Sequence, residues 1–260
     1  MPTISVQKNN GATYIGTLPK LKRDYLIEAG TKGVFDFGTP YTNDGGTLAV
    51  NKDFKNLVAG GGSAVVKSIS GLSQVAGGVK SLNGNGWILL PDEFRLASNT
   101  ANFMAIVWVK KVSGQPEIYG YGNYSSPSVI QYNMNYFNTS TGLQLQADAK
   151  TAFVSGIVGA VTQHAVEYVA NGVNSKIIAY TNGVKVSEAL FDNSDSLNIP
   201  TAVCDPRLFA MGTTAGVVST NNSTSELTIY RVMLDDLTLS GRTGASLALA
   251  DYDRNKNRFV

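Results

Sequence analysis

Residues 119–137, YGYGNYSSPSVIQYNMNYF, concentrate the side chains best suited to ligand chemistry in this chain. Aromatic rings offer apolar faces to sugar rings, and amides both donate to and accept from hydroxyls. Tyr119, Tyr121, Asn123 and Tyr124 are expected in a loop, and Gln131, Asn133 and Asn135 on one face of a strand. These seven are the candidate glycan contacts. The simpler alternative is an amide face that meets only water or another subunit.

Other chemistries find less support. Glycoside hydrolysis needs two carboxyls about 5–10 Å apart across the sugar. Glu28, Glu93, Glu117, Glu167, Glu188 and Glu226 stand singly. Glu167 and Glu226 fall on predicted strands and are the pair that could meet, although each reads more simply as an outward polar residue. One histidine, His164, and one cysteine, Cys204, exclude the usual zinc site in a monomer. Nothing places a serine nucleophile beside His164, and Cys204 reads as a small core residue. Calcium is the weakly supported cofactor. Asp235, Asp236, Asp251 and Asp253 could supply oxygens, and turns or helix caps account for them equally well. The glycine-rich stretches 59–63 and 76–86 lack Gly-Lys-Ser/Thr and a following helix, so they read as turns rather than phosphate loops.

The elements that must position these side chains are strands. Residues 103–110, FMAIVWVK, are apolar on both alternating faces, which predicts a central strand buried on both sides. Residues 129–137 and 143–147 alternate, with Ile130, Tyr132, Met134 and Tyr136 opposite the amides. Further strands are predicted at 165–170, 176–181, 184–187, 207–212 and 226–234. Asn182-Gly183 predicts a type I′ hairpin, which needs positive φ at both central positions. Residues 243–257 are the best helix candidate. Residues 1–45 hold only short possible strands (13–18 and 34–37) before a turn cluster at 41–46, and read as an extended arm or edge extension. Residues 46–260 read as the main domain.

Composition narrows the class. The chain has 260 residues, enough for a large β domain to bury its core without staples. Charged residues are 15%, below the usual ~25%, with 27 glycines and many uncharged polar residues in their place. A net charge of +2 gives no reason to expect nucleic acid or an acidic membrane as partner. No stretch reaches the ~18 apolar residues of a membrane span. The first residues lack the charged start and apolar run of a signal peptide, so synthesis in a cytoplasm is expected.

Taken in order, several stretches resemble successive strands of the concanavalin A-like lectin/glucanase jelly roll in its laminin-G-like form. They are Gly86-Trp87-Ile88-Leu89-Leu90-Pro91, residues 103–109, His164–Tyr168 with Ile178–Gly183, Leu208–Gly212 and Leu227–Val232. The resemblance covers residues 46–260. It implies an all-β, two-sheet antiparallel jelly-roll sandwich, with the N-terminal arm and a short C-terminal helix added. Hydrolases of that family usually carry Glu-x-Asp-x-x-Glu on one strand, and no Glu here has Asp two residues later. Residues 234–243, LDDLTLSGRT, with Asp251–Asp253 and Arg258-Phe259, resemble the ends of such domains in structural proteins of tailed bacteriophages.

The resemblance therefore implies a non-enzymatic structural protein of a phage virion, in a decoration, tail or fibre position. It would contact other virion proteins and itself as a homo-oligomer. The alternatives are a glycan-binding adhesin or receptor-binding module and, disfavoured by the missing motif, a glycoside hydrolase.

Overall fold

The structure, a computed structural model, describes residues 24–96, 102–123, 129–136, 142–147, 150–155, 157–171, 174–190, 205–212, 218–219 and 224–259. Tyr124, Cys204 and residues 1–23 of the expected arm lie outside the described residues.

Strands follow in chain order as β1 (Thr31–Asp36), β2 (Asp53–Phe54), β3 (Ala64–Ser68), β4 (Leu72–Val75), β5 (Gly78–Leu82) and β6 (Trp87–Leu89). Next come β7 (Phe103–Ser113), β8 (Glu117–Asn123), β9 (Val129–Tyr136), β10 (Gly142–Ala147), β11 (Lys150–Ser155) and β12 (Val161–Val169). The last are β13 (Lys176–Thr181), β14 (Val184–Leu190), β15 (Arg207–Leu208), β16 (Met211–Gly212), β17 (Val218–Ser219) and β18 (Glu226–Asp236). Two helices close the chain, α1 (Leu237–Ser240) and α2 (Gly244–Asn255).

The strands form an all-β sandwich of two mostly antiparallel sheets. The first runs β14-β13-β12-β7-β18-β5-β4, with β1 added on β18. The second runs β11-β10-β9-β8-β15-β6-β3-β2, with β16 and β17 attached beside β8. Between them lies one core, in which Phe103, Val107, Ile229 and Leu234 meet Tyr132, Met134, Leu143 and Leu145. The Phe103 ring lies 5.7 Å from those of both Tyr132 and Tyr168.

The twofold apolar pattern of β7 has a physical cause. Its other face, Met104 and Ile106, packs with Ala165, Met233, Leu237, Leu247 and Ala248 beneath the two helices. Helix α2 begins where Thr243 caps the Ser246 N–H at 3.2 Å. At the Asn182-Gly183 turn both residues have positive φ, 51° and 78°, as a type I′ hairpin requires.

Residues 24–45 join the first sheet through β1. Strand β1 pairs with β18, and Val34, Phe35 and Phe37 are core residues. Asp24 and Asp36 are held by Arg231, which is fully buried.

Candidate functional site

Two expected placements change in the structure. Tyr119 and Tyr121 belong to strand β8 rather than a loop, and both are buried between the sheets. A register irregularity between Glu117 and Tyr119 lets the adjacent Ile118 and Tyr119 both enter the core, which simple alternation does not anticipate. Asn123 ends β8 opposite Val129. The amides of β9 do take the face opposite Tyr132 and Met134, yet Gln131, Asn133 and Asn135 are all buried rather than water-facing. Gln131 is engaged by main chain: its Nε2 donates to the Leu96 carbonyl at 2.9 Å and its Oε1 accepts from the Leu96 N–H at 3.2 Å.

The acidic candidates are also engaged. Asp251 accepts from Arg231 Nε at 3.0 Å and Trp108 Nε1 at 2.6 Å. Asp235 accepts from Thr31, Ser240 and Arg242. Asp236 caps α1 through the Leu239 N–H, and Asp253 pairs with Lys256 at 2.7 Å. Among the described residues no group of three or more His, Cys, Asp or Glu side chains is placed to hold a metal ion. Glu167 and Glu226 do not meet. Glu167 stands beside Met104 and Glu226 beside Ser113, at opposite ends of β7, roughly 30 Å apart along the strand. Nor is Glu167 outward in water: it is buried under the start of α2, accepting from Tyr180 Oη at 2.5 Å and the Gly244 N–H. Glu226 pairs with Lys80 at 2.8 Å.

A different set of groups comes together on the outer face of the second sheet. In β10 and β11, Leu143, Leu145, Ala152 and Val154 enter the core, so Gln144, Gln146, Thr151 and Phe153 project outward. Cross-strand register then aligns them with the β9 amides. Phe153 is opposite Gln144, Gln144 opposite Asn135, and Asn135 opposite Glu117. The next row holds Thr151, Gln146, Asn133 and Gly120, and continues to Arg207 and Leu89. Phe153 is 54% exposed. Gln144 Nε2 donates to Gln146 Oε1 at 3.1 Å, so the two amides beside the ring are mutually oriented.

The inner end of the first row is closed. Burial pushes the Glu117 carboxyl up to about 8, against which the Asn135 hydrogen bond pulls it down, so it is uncharged at neutral pH. In the second row Gly120 has no side chain where Met211 and Asn133 approach, and any Cβ would collide with them. Beyond it, the Arg207 guanidinium lies 4.7 Å over the Trp87 ring, donates to the Met211 carbonyl at 3.2 Å and pairs with Asp205 at 3.6 Å. Leu89 also lines a cleft of 660 Å³ with Glu93 and Arg95. There Glu93 accepts from the Gly62 N–H, and Arg95 pairs with Asp205 and Asp92.

The arrangement offers an apolar ring next to oriented amides, the combination that binds a hydroxylated ring with one apolar face. The strand alternation LQLQ at 143–146 and the alternating KTAFVS at 150–155 carry the signal for Gln144, Gln146 and Phe153. Composition alone drew attention to the tyrosines instead.

No protein-family model matches the chain, and no curated protein matches it. Solved structures do. The chain is similar to a Trypanosoma rangeli sialidase in complex with sialic acid, with 11% identity and a TM-score of 0.59 over 89% of this chain and 34% of the sialidase. A mutant of that sialidase displaying trans-sialidase activity matches with 14% identity, a TM-score of 0.54 and 86% and 33% coverage. The binding domain of botulinum neurotoxin serotype D matches with 11% identity, a TM-score of 0.55 and 88% and 52% coverage.

The chain thus spans about a third of the sialidases and half of the toxin binding domain, and the likeness is one of fold. It corrects the expectation of a chain without enzymatic activity. Sialidases are enzymes, and this fold occurs within their chains, so the missing Glu-x-Asp-x-x-Glu motif is no ground for excluding activity. Among the described residues, no helix is long and apolar enough to cross a membrane.

Proposed function

We propose that this chain is a glycan-binding module whose ligand lies on the outer face of the second sheet, against Phe153. The observation that carries this reading is the exposed Phe153 in cross-strand register with Gln144 and beside Gln146. A sugar stacked on the ring would exchange water for the two glutamine amides, with Thr151 at the rim. The named neighbours support the reading at the level of fold, since they include a sialidase holding sialic acid and a toxin binding domain.

The test is direct binding of the full chain to an oligosaccharide panel, followed by titration of the best ligand. Phe153→Ala removes the stacking surface and should weaken binding about tenfold or more. Gln144→Ala with Gln146→Ala should act in the same direction, and circular dichroism should show an unchanged fold in both. Binding that survives Phe153→Ala would place the ligand elsewhere, and no binding to any glycan would refute the reading.

A second reading concerns where such a module would work. The resemblance of residues 234–243 to phage structural proteins supports its display on a virion, beside other virion proteins and further copies of itself. Mass spectrometry of purified particles should then detect the chain at a stoichiometry fixed by particle symmetry. Its absence from particles made by cells that express it would exclude this placement.

A further inference from the structure

We infer that Asn83 is a site of self-modification, where the turn between β5 and β6 converts a side-chain amide to a carboxylate while comparable Asn-Gly pairs stay protected. The backbone nitrogen of the residue after an asparagine can attack the side-chain amide. Glycine allows this most readily, because no Cβ stands in the way of the close approach. Asn83-Gly84, Asn85-Gly86 and Asn182-Gly183 are the Asn-Gly pairs that lie wholly among the described residues. What separates them is the state of the glycine N–H, the group that must give up its proton and attack.

The Gly183 N–H donates to Gln163 Oε1 at 2.7 Å, and Asn182 Oδ1 accepts from the Gln163 N–H at 3.1 Å. A single glutamine thus holds both the attacking nitrogen and the amide it would attack. The Gly86 N–H donates to the Ser70 carbonyl at 2.7 Å. The Gly84 N–H, by contrast, has no acceptor among the described residues, and no group there bonds the Asn83 side chain, which is exposed. The chain leading into the pair is held: the Leu82 N–H donates to the Gly71 carbonyl and the Asn83 N–H to the Ser225 carbonyl, both at 2.9 Å. The reacting groups are therefore open in the folded protein, with no hydrogen bond to break first.

The reaction needs only the chain and water. The Gly84 nitrogen bonds to Asn83 Cγ, the Cγ–Nδ2 bond breaks, and ammonia leaves with the proton from the Gly84 nitrogen. Water then opens the imide ring at either carbonyl, leaving an aspartate or an isoaspartate at position 83. Both products add a negative charge to the turn. The isoaspartate also inserts an extra carbon into the backbone where there is no slack, since even a Cβ at Gly84 would collide with the Ser70 carbonyl and Gly71. Strand β5 belongs to the first sheet and β6 to the second, so that product loosens a connection between the sheets.

The experiment ages the full chain in mildly alkaline buffer, both folded and unfolded in urea, and follows each Asn-Gly pair by digestion and fragmentation mass spectrometry. In the folded chain Asn83 should convert about tenfold or more faster than Asn85 or Asn182, the factor set by having one fewer hydrogen bond to open. In urea the three should approach a common rate, which shows that the fold creates the difference. Asn83→Gln, whose longer side chain would have to close a larger ring, should remove the fast conversion. Conversion of Asn85 or Asn182 as fast as Asn83 in the folded chain would overturn the inference. So would an Asn83 that stays intact when folded yet reacts in urea.

Discussion

Arg231 and Asp251 face each other beneath the C-terminal helix, Nε to Oδ1 at 3.0 Å, with neither side chain exposed. The same guanidinium reaches Asp24 at 2.9 Å and Asp36 at 3.4 Å. Arg254 and Arg258 add further pairs to Asp24 and Asp36, so three acids are matched by three bases. Gln163 and Asn255 complete the hydrogen bonding of Asp251. Three segments that are remote in sequence are thereby pinned to β18.

Breaking that network should be costly. Asp251→Ala leaves the Arg231 Nε and Trp108 Nε1 donors without their buried acceptor, and should lower unfolding free energy by about 3–5 kcal/mol. Urea denaturation checks this. A loss below about 1 kcal/mol, the range of exposed pairs, would mean that the network is solvated.

Glu117 should make the protein less stable as the medium turns basic. Its carboxyl is raised from 4.5 to about 8 by burial, so between those values the unfolded chain has released a proton that the folded chain keeps. Its contribution is therefore complete below pH 4.5, falls as pH rises, and is lost above about pH 8. The size is on the order of 3–5 kcal/mol. Glu117→Gln should flatten this slope in denaturation curves measured across the window.

His164 should act with the opposite sign. Burial lowers it from 6.5 to about 3, and its ring nitrogens lie 3.4 Å from Tyr136 Oη and 3.2 Å from Thr181 Oγ1. The unfolded chain takes up a proton below pH 6.5 that the folded chain refuses until about pH 3, so stability is lost as pH falls through that range. His164→Gln should reduce the acid sensitivity, read as a smaller drop in Tm on acidification. An unchanged acid limb would show that the imidazole is not kept neutral.

The hairpin turn should tolerate little change at its second position. Gly183 has φ of 78°, and a Cβ there would sit 3.1 Å from both Leu249 Cα and Tyr252 Cβ of α2. Gly183→Val should cost about 2–3 kcal/mol through the disfavoured backbone and the displaced helix. Asn182→Gly should cost less, since it loses only the acceptor for the Gln163 N–H. Thermal melts of the two variants compare them directly.

Local chemistry made much of the fold legible before any coordinates. The unbroken apolar run of β7, the Asn182-Gly183 turn and the helix at the end of the chain each act through neighbours a few residues away, so a short window of sequence contains the whole cause. Alternation likewise assigned Gln131, Asn133 and Asn135 to one face of β9. What alternation cannot contain is what lies over that face, and here the three amides are buried while Phe153, two strands away, is exposed. Tyr119 turned inward through a register irregularity that depends on its partner strand. The Arg231 cluster joins residues as far as 207 positions apart. The sequence by itself determined that there would be strands, a turn and a closing helix, because those are short-range consequences of backbone sterics and periodicity. Only the tertiary structure decided which polar groups meet, since burial and cross-strand register are set by segments far away along the chain.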